Sequence, residues 1–349
     1  MDFLHRLLNF VAPIATLSAL FFVTPLYCAF KLLSYIDRSI STEDVAGKVV
    51  LIVGASSGIG EHIAYEYARR GACLVLAARR EKSLREVSAT AKFLGAPEAI
   101  AIPTDVSSID DCKRLIDQTI NHFGQLNYLV NCAGVTPMCM LEEITDITSF
   151  TSVMDMNFWG YVYMTYLSLP YLRKSKGKII VIASSASWMP APRMSLYNAS
   201  KAAVVSFYES LRLELGSDVG ITIVTPGLTE SEMSQGKIVN KDGVMVVDQD
   251  MRDAEMSIVP IELATASARA IVDAACRGDV YLLEPKWVQT TTYWVAFFPE
   301  MVEWVNRWFL WVKPGASPLD APSKKLLDVP GMRLVAQPDS VRSPEIKEE

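Results

Sequence analysis

VVLIVGASSGIG, residues 49 to 60, is the stretch on which the reading of this chain turns. Val49–Val53 is β-branched and free of charge, the pattern of a buried strand. Gly54–Gly60 follows it and runs into a helical pattern, Glu61–Arg70. Glycines there permit a tight turn and let a pyrophosphate approach the backbone at a helix N-terminus. The spacing, with three residues between the first two glycines, differs from the common dinucleotide fingerprint, so this motif needs support from the rest of the chain.

That support comes from alternation. Cys73–Ala77, Ala99–Ile102, Leu126–Val130, Ile179–Ile182 and Ile221–Val224 are further strand candidates, and segments such as Asp110–Phe123 read as helices between them. Apolar runs alternating with helical patterns predict an α/β fold, a doubly wound parallel sheet of the Rossmann type. The second strand ends at Ala78-Arg79-Arg80, about 20 residues after the glycines, where a site for NAD(H) places a carboxylate against the ribose. Guanidinium groups there suit a 2′-phosphate instead, so NADP(H) is expected, with NAD(H) as the alternative.

The stretch KIIVIASSASWMPAPRMSLYNASK, residues 178 to 201, holds candidate chemistry. Tyr197 and Lys201, four apart on a helix, share one face. A phenol titrates near 10 and needs about 4 kcal/mol of help to act as a base at neutral pH. A neighbouring ammonium supplies this provided burial does not cancel it. A hydroxyl at the end of the preceding strand, Ser184 or Ser185, is placed to bond the oxygen on which charge builds.

Taken together, GASSGIG, Asp105-Val106, Asn131-Cys132-Ala133-Gly134, Ser184, Tyr197-x-x-x-Lys201 and Pro226-Gly227 resemble the short-chain dehydrogenases/reductases over about residues 46 to 285. The resemblance implies that Gly54, Ser56, Ser57, Gly58, Ile59 and Gly60 cradle the coenzyme, with Arg79 and Arg80 at its phosphate. It implies that Asp105 and Val106 meet the adenine, and that Asn131, Ala133 and Gly134 support the sheet on the adenosine side. Pro226 and Gly227 would border the nicotinamide. Tyr197 would be the general acid/base, Lys201 would lower its pKa and bind the nicotinamide ribose, Ser184 would hold the substrate oxygen, and Asn157 would position a helix and a relay water. No metal is expected. The interval the family keeps between serine and tyrosine selects Ser184 over Ser185. Val53 and Cys132 depart from the family's usual Thr and Asn.

The ends of the chain carry the excess hydrophobicity of a sequence that is 50% hydrophobic. No residue from Leu7 to Phe30 is charged; as a helix this run would measure about 36 Å, enough for a hydrocarbon core of about 30 Å. Residues 1–40 are therefore read as an apolar anchor, with Pro13 and Pro25 making it a kinked span or a hairpin. Residues 286–313 hold Trp287, Trp294, Trp304, Trp308 and Trp311, an amphipathic segment suited either to a lipid surface or to packing on its own domain. From residue 314 to 349 the chain is polar and Pro-rich and is expected to run extended. A net charge of −6 argues against a nucleic-acid partner, and six cysteines without pairing or metal-ligand spacing fit a reducing, cytosol-facing compartment.

The anchor, the core motifs and the phrase WMPAPRMSLYNASK together resemble the steroleosin family, plant oil-body hydroxysteroid dehydrogenases. This resemblance implies a sterol-like substrate, a proline hairpin in a lipid-droplet monolayer or endoplasmic-reticulum membrane, a cytosolic catalytic domain and, from the wider family, a homodimer. An apolar substrate pocket would draw on Trp188, Met189 and Met194. Two other readings compete. Gly54-Ala55-Ser56-Ser57-Gly58 matches the G-x-S-x-G elbow of lipases, but the only histidines are His5, His62 and His122, none suitably far downstream. A structural lipid-droplet protein with an inactive dehydrogenase fold is the alternative function.

Overall fold

The computed structural model describes residues 1–40, 42–313, 315–343 and 346. It divides into two compact units, Met1–Glu43 and Asp44–Glu349.

The first unit is one helix of 39 residues, Asp2–Ile40, with Pro13 and Pro25 inside it. The hairpin implied by resemblance is not formed: the chain turns back at neither proline. Each proline forfeits one amide hydrogen bond and crowds one carbonyl, a local cost of about 3 kcal/mol. The flanking Leu, Ala and Phe residues keep the rest of the ladder intact. The helix is long and apolar enough to cross a membrane.

In the second unit, seven parallel strands form one sheet: β1 (Val49–Val53), β2 (Cys73–Ala78), β3 (Ala99–Pro103), β4 (Tyr128–Asn131), β5 (Lys178–Ile182), β6 (Gly220–Pro226) and, at one edge, Tyr281–Glu284. A two-stranded antiparallel hairpin, β7 (Lys237–Val239) and β8 (Met245–Val247), stands apart, so the edge strand Tyr281–Glu284 is β9. The sheet order is β3-β2-β1-β4-β5-β6-β9. Six of these strands coincide with the expected apolar runs to within a few residues. The hairpin and β9 were not expected: three-residue strands carry too little alternation to read, and Tyr281–Glu284 ends on a charge.

Because successive residues of a strand face opposite ways, each strand feeds two cores. Val50, Ile52, Leu74, Leu76 and Val130 pack beneath the helices Gly58–Arg69, Glu81–Phe93 and Ala264–Arg277. Val49, Leu51, Val53, Val75 and Leu129 pack beneath Ile109–Phe123, Gly160–Ser175 and Ser195–Leu215. Burial on both faces explains why the strands read as unbroken apolar runs.

The Trp-rich segment forms the helices Gln289–Phe297 and Pro299–Leu310. The polar stretch after it, expected to run extended, folds into the short helices Pro322–Leu327, Met332–Ala336 and Asp339–Arg342. Ala321, Ser323, Leu327 and Val341 are completely buried there. Pro314, Pro344, Glu345 and residues 347–349 of that stretch lie outside the described residues. Ion pairs hold it alongside these buried apolar side chains. Asp253, on the helix Gln249–Met256, accepts from Arg252 at 2.7 Å and from Gln337 at 3.2 Å. Its second oxygen meets Arg333 at 2.7 Å and Lys324 at 3.6 Å.

Burial raises the Asp253 carboxyl's pKa, but Arg252 and Arg333 outweigh it and the net direction is down. A depressed carboxylate contributes stability that is present above its unfolded titration range and is lost as pH falls through the folded one. Asp253→Asn is therefore expected to cost about 3 kcal/mol at pH 7. The gap to the parent chain should close on acidification, measured by denaturant unfolding of both proteins across pH; a gap independent of pH would contradict this account.

Candidate active site

The strand order reverses between β1 and β4, and at such a point the loops leaving the two strands diverge to open a crevice at their carboxyl ends. The glycine turn enters this crevice from β1, and Cys132–Gly134 enters from β4. The two backbones touch: a Cβ on Gly54 would lie 2.6 Å from the Ala133 nitrogen. A Cβ on Gly60 would lie 2.1 Å from the Gly54 carbonyl oxygen, so only hydrogen fits. The helix Gly58–Arg69 begins here with no side-chain cap from Ser57, which leaves its first amides for another acceptor.

From the other side, β5 delivers Ser184, whose oxygen accepts the Ala186 amide at 3.1 Å. The chain then loops and enters the helix Ser195–Leu215 through Tyr197 and Lys201, which are 6% and 4% exposed. The hydroxyls of Ser184 and Thr136 act on the Tyr197 phenol and favour its ionised form. Lys201 Nζ donates to the Ile182 carbonyl at 3.0 Å and lies 3.5 Å from the hydroxyl of the buried Tyr161. It stands 5.9 Å from the centre of the Tyr197 ring.

Burial dominates the electrostatics. It raises the Tyr197 phenol above its ordinary value, with the Ser184 and Thr136 hydroxyls pulling the other way. It brings the Lys201 ammonium down to about 8. Lys201 lies over the ring and gives its hydrogen bonds to Ile182 and Tyr161, so what lowering Tyr197 receives comes from the two hydroxyls, and burial outweighs it.

Asn157 is fully buried in a π-helical turn, Asp155–Trp159. Its side chain clamps Val135, accepting from the amide and donating to the carbonyl, both at 2.9 Å, and donates to Ser200 Oγ at 3.0 Å. A Cβ on Gly134 would meet Asn157 Oδ1 at 3.3 Å and Lys201 Nζ at 3.6 Å, so the glycine lets the β4 loop approach both.

The remaining sequence candidates distribute as follows. Arg80 reaches the glycine turn, donating to Ser57 Oγ at 2.8 Å and Ser56 Oγ at 3.1 Å, whereas Arg79 is exposed. Asp105 is half-buried, its carboxylate accepting from Ser107, and Val106 is buried against Gly160. Asn131 ties β4 to Tyr208 at 2.9 Å. Gly227 follows the buried Pro226 and donates to the Glu284 carbonyl at 2.8 Å. Ile59 and Ala133 are half-buried. Neither downstream histidine serves a serine nucleophile: His62 Nδ1 bonds the Gly58 carbonyl and His122 pairs with Glu98.

Comparison with known proteins places this geometry. The short chain dehydrogenase family model matches residues 48–242. The chain is 52% identical over 347 residues to 11-beta-hydroxysteroid dehydrogenase A of Sesamum indicum, covering 99% of both chains. It is 50% identical to 11-beta-hydroxysteroid dehydrogenase 1A of Arabidopsis thaliana, again over 99% of both. Among solved structures, a short-chain dehydrogenase/reductase from Burkholderia phymatum in complex with NAD superposes with a TM-score of 0.64 at 26% identity, covering 74% of this chain and 96% of that one. The chain belongs to the short-chain dehydrogenase family.

It is an oxidoreductase of that family, and its crevice fits a nicotinamide dinucleotide. The uncapped helix N-terminus at the strand switch point, two serines and a guanidinium are the donor set that a pyrophosphate and ribose require. Three residues beside the candidate site carried no expectation from the sequence: Thr136, Tyr161 and Glu232, which pairs with Arg80 at 2.6 Å. Thr136 lies two residues beyond Gly134 and carries no signal of its own; the other two arrive through tertiary folding.

Asn157→Ala removes three buried hydrogen bonds, two of them to backbone, and is expected to destabilise the fold by about 3 kcal/mol. Denaturant unfolding checks this; an unchanged midpoint would show that the clamp is not structural.

Proposed function

We propose that the chain is an NADP(H)-preferring hydroxysteroid dehydrogenase that interconverts a secondary alcohol and a ketone on a sterol-like substrate. We place it at the surface of a lipid droplet or the endoplasmic reticulum, with the catalytic domain facing the cytosol. The observation that carries the reading is the buried Tyr197 with Lys201 Nζ 5.9 Å from its ring centre, in a chain half identical along its length to plant proteins named 11-beta-hydroxysteroid dehydrogenase.

When bound, the nicotinamide supplies or accepts the hydride. Gly54, Ser56, Ser57, Gly58, Ile59, Gly60 and Arg80 would hold the coenzyme's phosphates and ribose, with Asp105, Val106, Asn131, Ala133 and Gly134 lining the adenosine side. Pro226 and Gly227 would border the nicotinamide, and Lys201 its ribose. Tyr197 moves the proton, giving it to the ketone oxygen in reduction and taking it from the hydroxyl in oxidation. Ser184 and Thr136 donate to the phenolate and stabilise it, and Ser184 also holds the substrate oxygen. Asn157 fixes Val135 and Ser200, and through them the loop and helix that bear Thr136 and Tyr197. Trp188, Met189 and Met194, half-buried beside this helix, offer an apolar wall.

Lipid attachment is supported by the apolar helix Asp2–Ile40 and by a second feature. Trp304 and Trp308 on the helix Pro299–Leu310 are 66% and 62% exposed, beside exposed Phe297, Phe298 and Met301. Amphipathic aromatic rings of this kind favour a lipid–water boundary. The free state of all six cysteines supports the cytosolic side. NADP(H) is favoured by Arg80; that a homodimer forms rests on the family alone.

Four outcomes test the reading. Tyr197→Phe should lose at least about a thousandfold in hydroxysteroid turnover while keeping coenzyme affinity; retained turnover would remove the central claim. Because the phenol is raised and so protonated at neutral pH, oxidation should accelerate as pH rises and ketone reduction should slow. Thr136→Val removes a donor that favours phenolate, so its oxidation profile should shift to higher pH, read from kcat/KM against pH; an unshifted profile would exclude the threonine from the proton transfer. Finally, a chain lacking residues 2–40 should still float with phospholipid vesicles, and Trp304→Ala/Trp308→Ala in that background should not. Equal flotation of both would assign lipid contact elsewhere.

A further inference from the structure

Arg80, which the reading above places at the coenzyme's adenosine end, already has a carboxylate partner. Its Nη1 lies 2.6 Å from Glu232 Oε1, and the two side chains are 14% and 13% exposed. The other Glu232 oxygen is 3.6 Å from Lys237 Nζ. Glu232 belongs to the loop that follows β6, and this loop sits directly on the glycine turn: a Cβ on Gly58 would lie 3.0 Å from Ser231 Cβ. One guanidinium thus joins the turn, through Ser56 and Ser57, to the loop facing it.

A carboxylate is an unfavourable neighbour for an anionic ligand. At the mouth of a site whose helix N-terminus and arginine attract phosphate, its presence calls for a reason. We propose that the Arg80–Glu232 bridge is a coenzyme-sensing latch: Glu232 competes with the 2′-phosphate of NADP(H) for Arg80, moderates the preference over NAD(H), and releases the loop after β6 when the phosphate displaces it. The inference rests on Arg80 facing the ribose 2′ position. NAD(H), which has only a hydroxyl there, leaves the bridge closed. NADP(H) must break it, exchanging one charge-assisted pair for another. The loop it frees carries Met233, whose sulfur accepts from the Thr136 hydroxyl at 2.7 Å. Opening the latch therefore also frees the Thr136 hydroxyl to turn toward Tyr197.

Equilibrium titration of the full-length protein with NADP+ and with NAD+, in detergent, tests the latch without reference to turnover. Glu232→Gln keeps the side chain's shape and removes its charge. It should tighten NADP+ binding by about tenfold and change NAD+ binding by less than about twofold. In an Arg80→Met background the same substitution should leave NADP+ affinity unchanged, because the contested group is gone. The latch is overturned if Glu232→Gln is silent toward NADP+, or if it tightens both coenzymes equally. Parent protein that binds neither dinucleotide would sink the dehydrogenase reading itself, a result distinct from normal binding that ignores Glu232.

Discussion

The backbones of Gly54 and Ala133 meet where no side chain could stand between them, and much of the molecule follows from that contact. It brings the turn after β1 against the loop after β4, at the place where the sheet's order reverses. With the glycine turn packed there, the helix Gly58–Arg69 begins at the mouth of the crevice, and its uncapped amides become a resource rather than a defect. The β4 loop in turn carries Gly134 and Thr136 toward the helix that holds Tyr197 and Lys201. A parallel sheet buried on both faces makes this possible, since two independent cores fix the strand ends from which all of these residues leave.

The site is built against its own electrostatics. A phenol and an ammonium are both placed where water cannot reach, and each is pushed toward its neutral form. What opposes burial is a set of oriented neutral groups: the Ile182 carbonyl for the ammonium, and the Ser184 and Thr136 hydroxyls for the phenol. These in turn need a rigid frame, supplied by Asn157 between Val135 and Ser200. Such arrangements persist only where surrounding contacts over-determine them.

The parts legible in the sequence were those written in local chemistry. Six of the seven sheet strands stood out as charge-free runs because burial on both faces demands it, and the order of glycine, serine, tyrosine and lysine motifs carried the family. Hydropathy could not reveal the folding of residues 315–343, since its few fully buried apolar side chains, Ala321, Leu327 and Val341, are widely spaced and are joined by the ion pairs of the Asp253 carboxylate. Pro13 and Pro25 were readable as helix disturbers that leave either a span or a hairpin, and the sequence did not decide between them; the chain keeps one helix through both. Glu232 meets Arg80 across a sequence separation of 152 residues, a pairing that no local pattern encodes.

Cys132 stands where the wider family usually keeps an asparagine, and its surroundings have a chemical consequence. Burial pushes its thiol up to about 12, against a counter-pull from Lys201, and Cys112 and Cys139 are likewise raised to about 12 and about 11. Only a thiolate reacts readily with peroxides, disulfides and alkylating agents. The Cys132 thiol, electrostatically coupled to Lys201 and Tyr197, is thus held toward its protonated, unreactive form. Oxidants that would silence an enzyme with a poised active-site thiol therefore meet Cys132 in its protonated form.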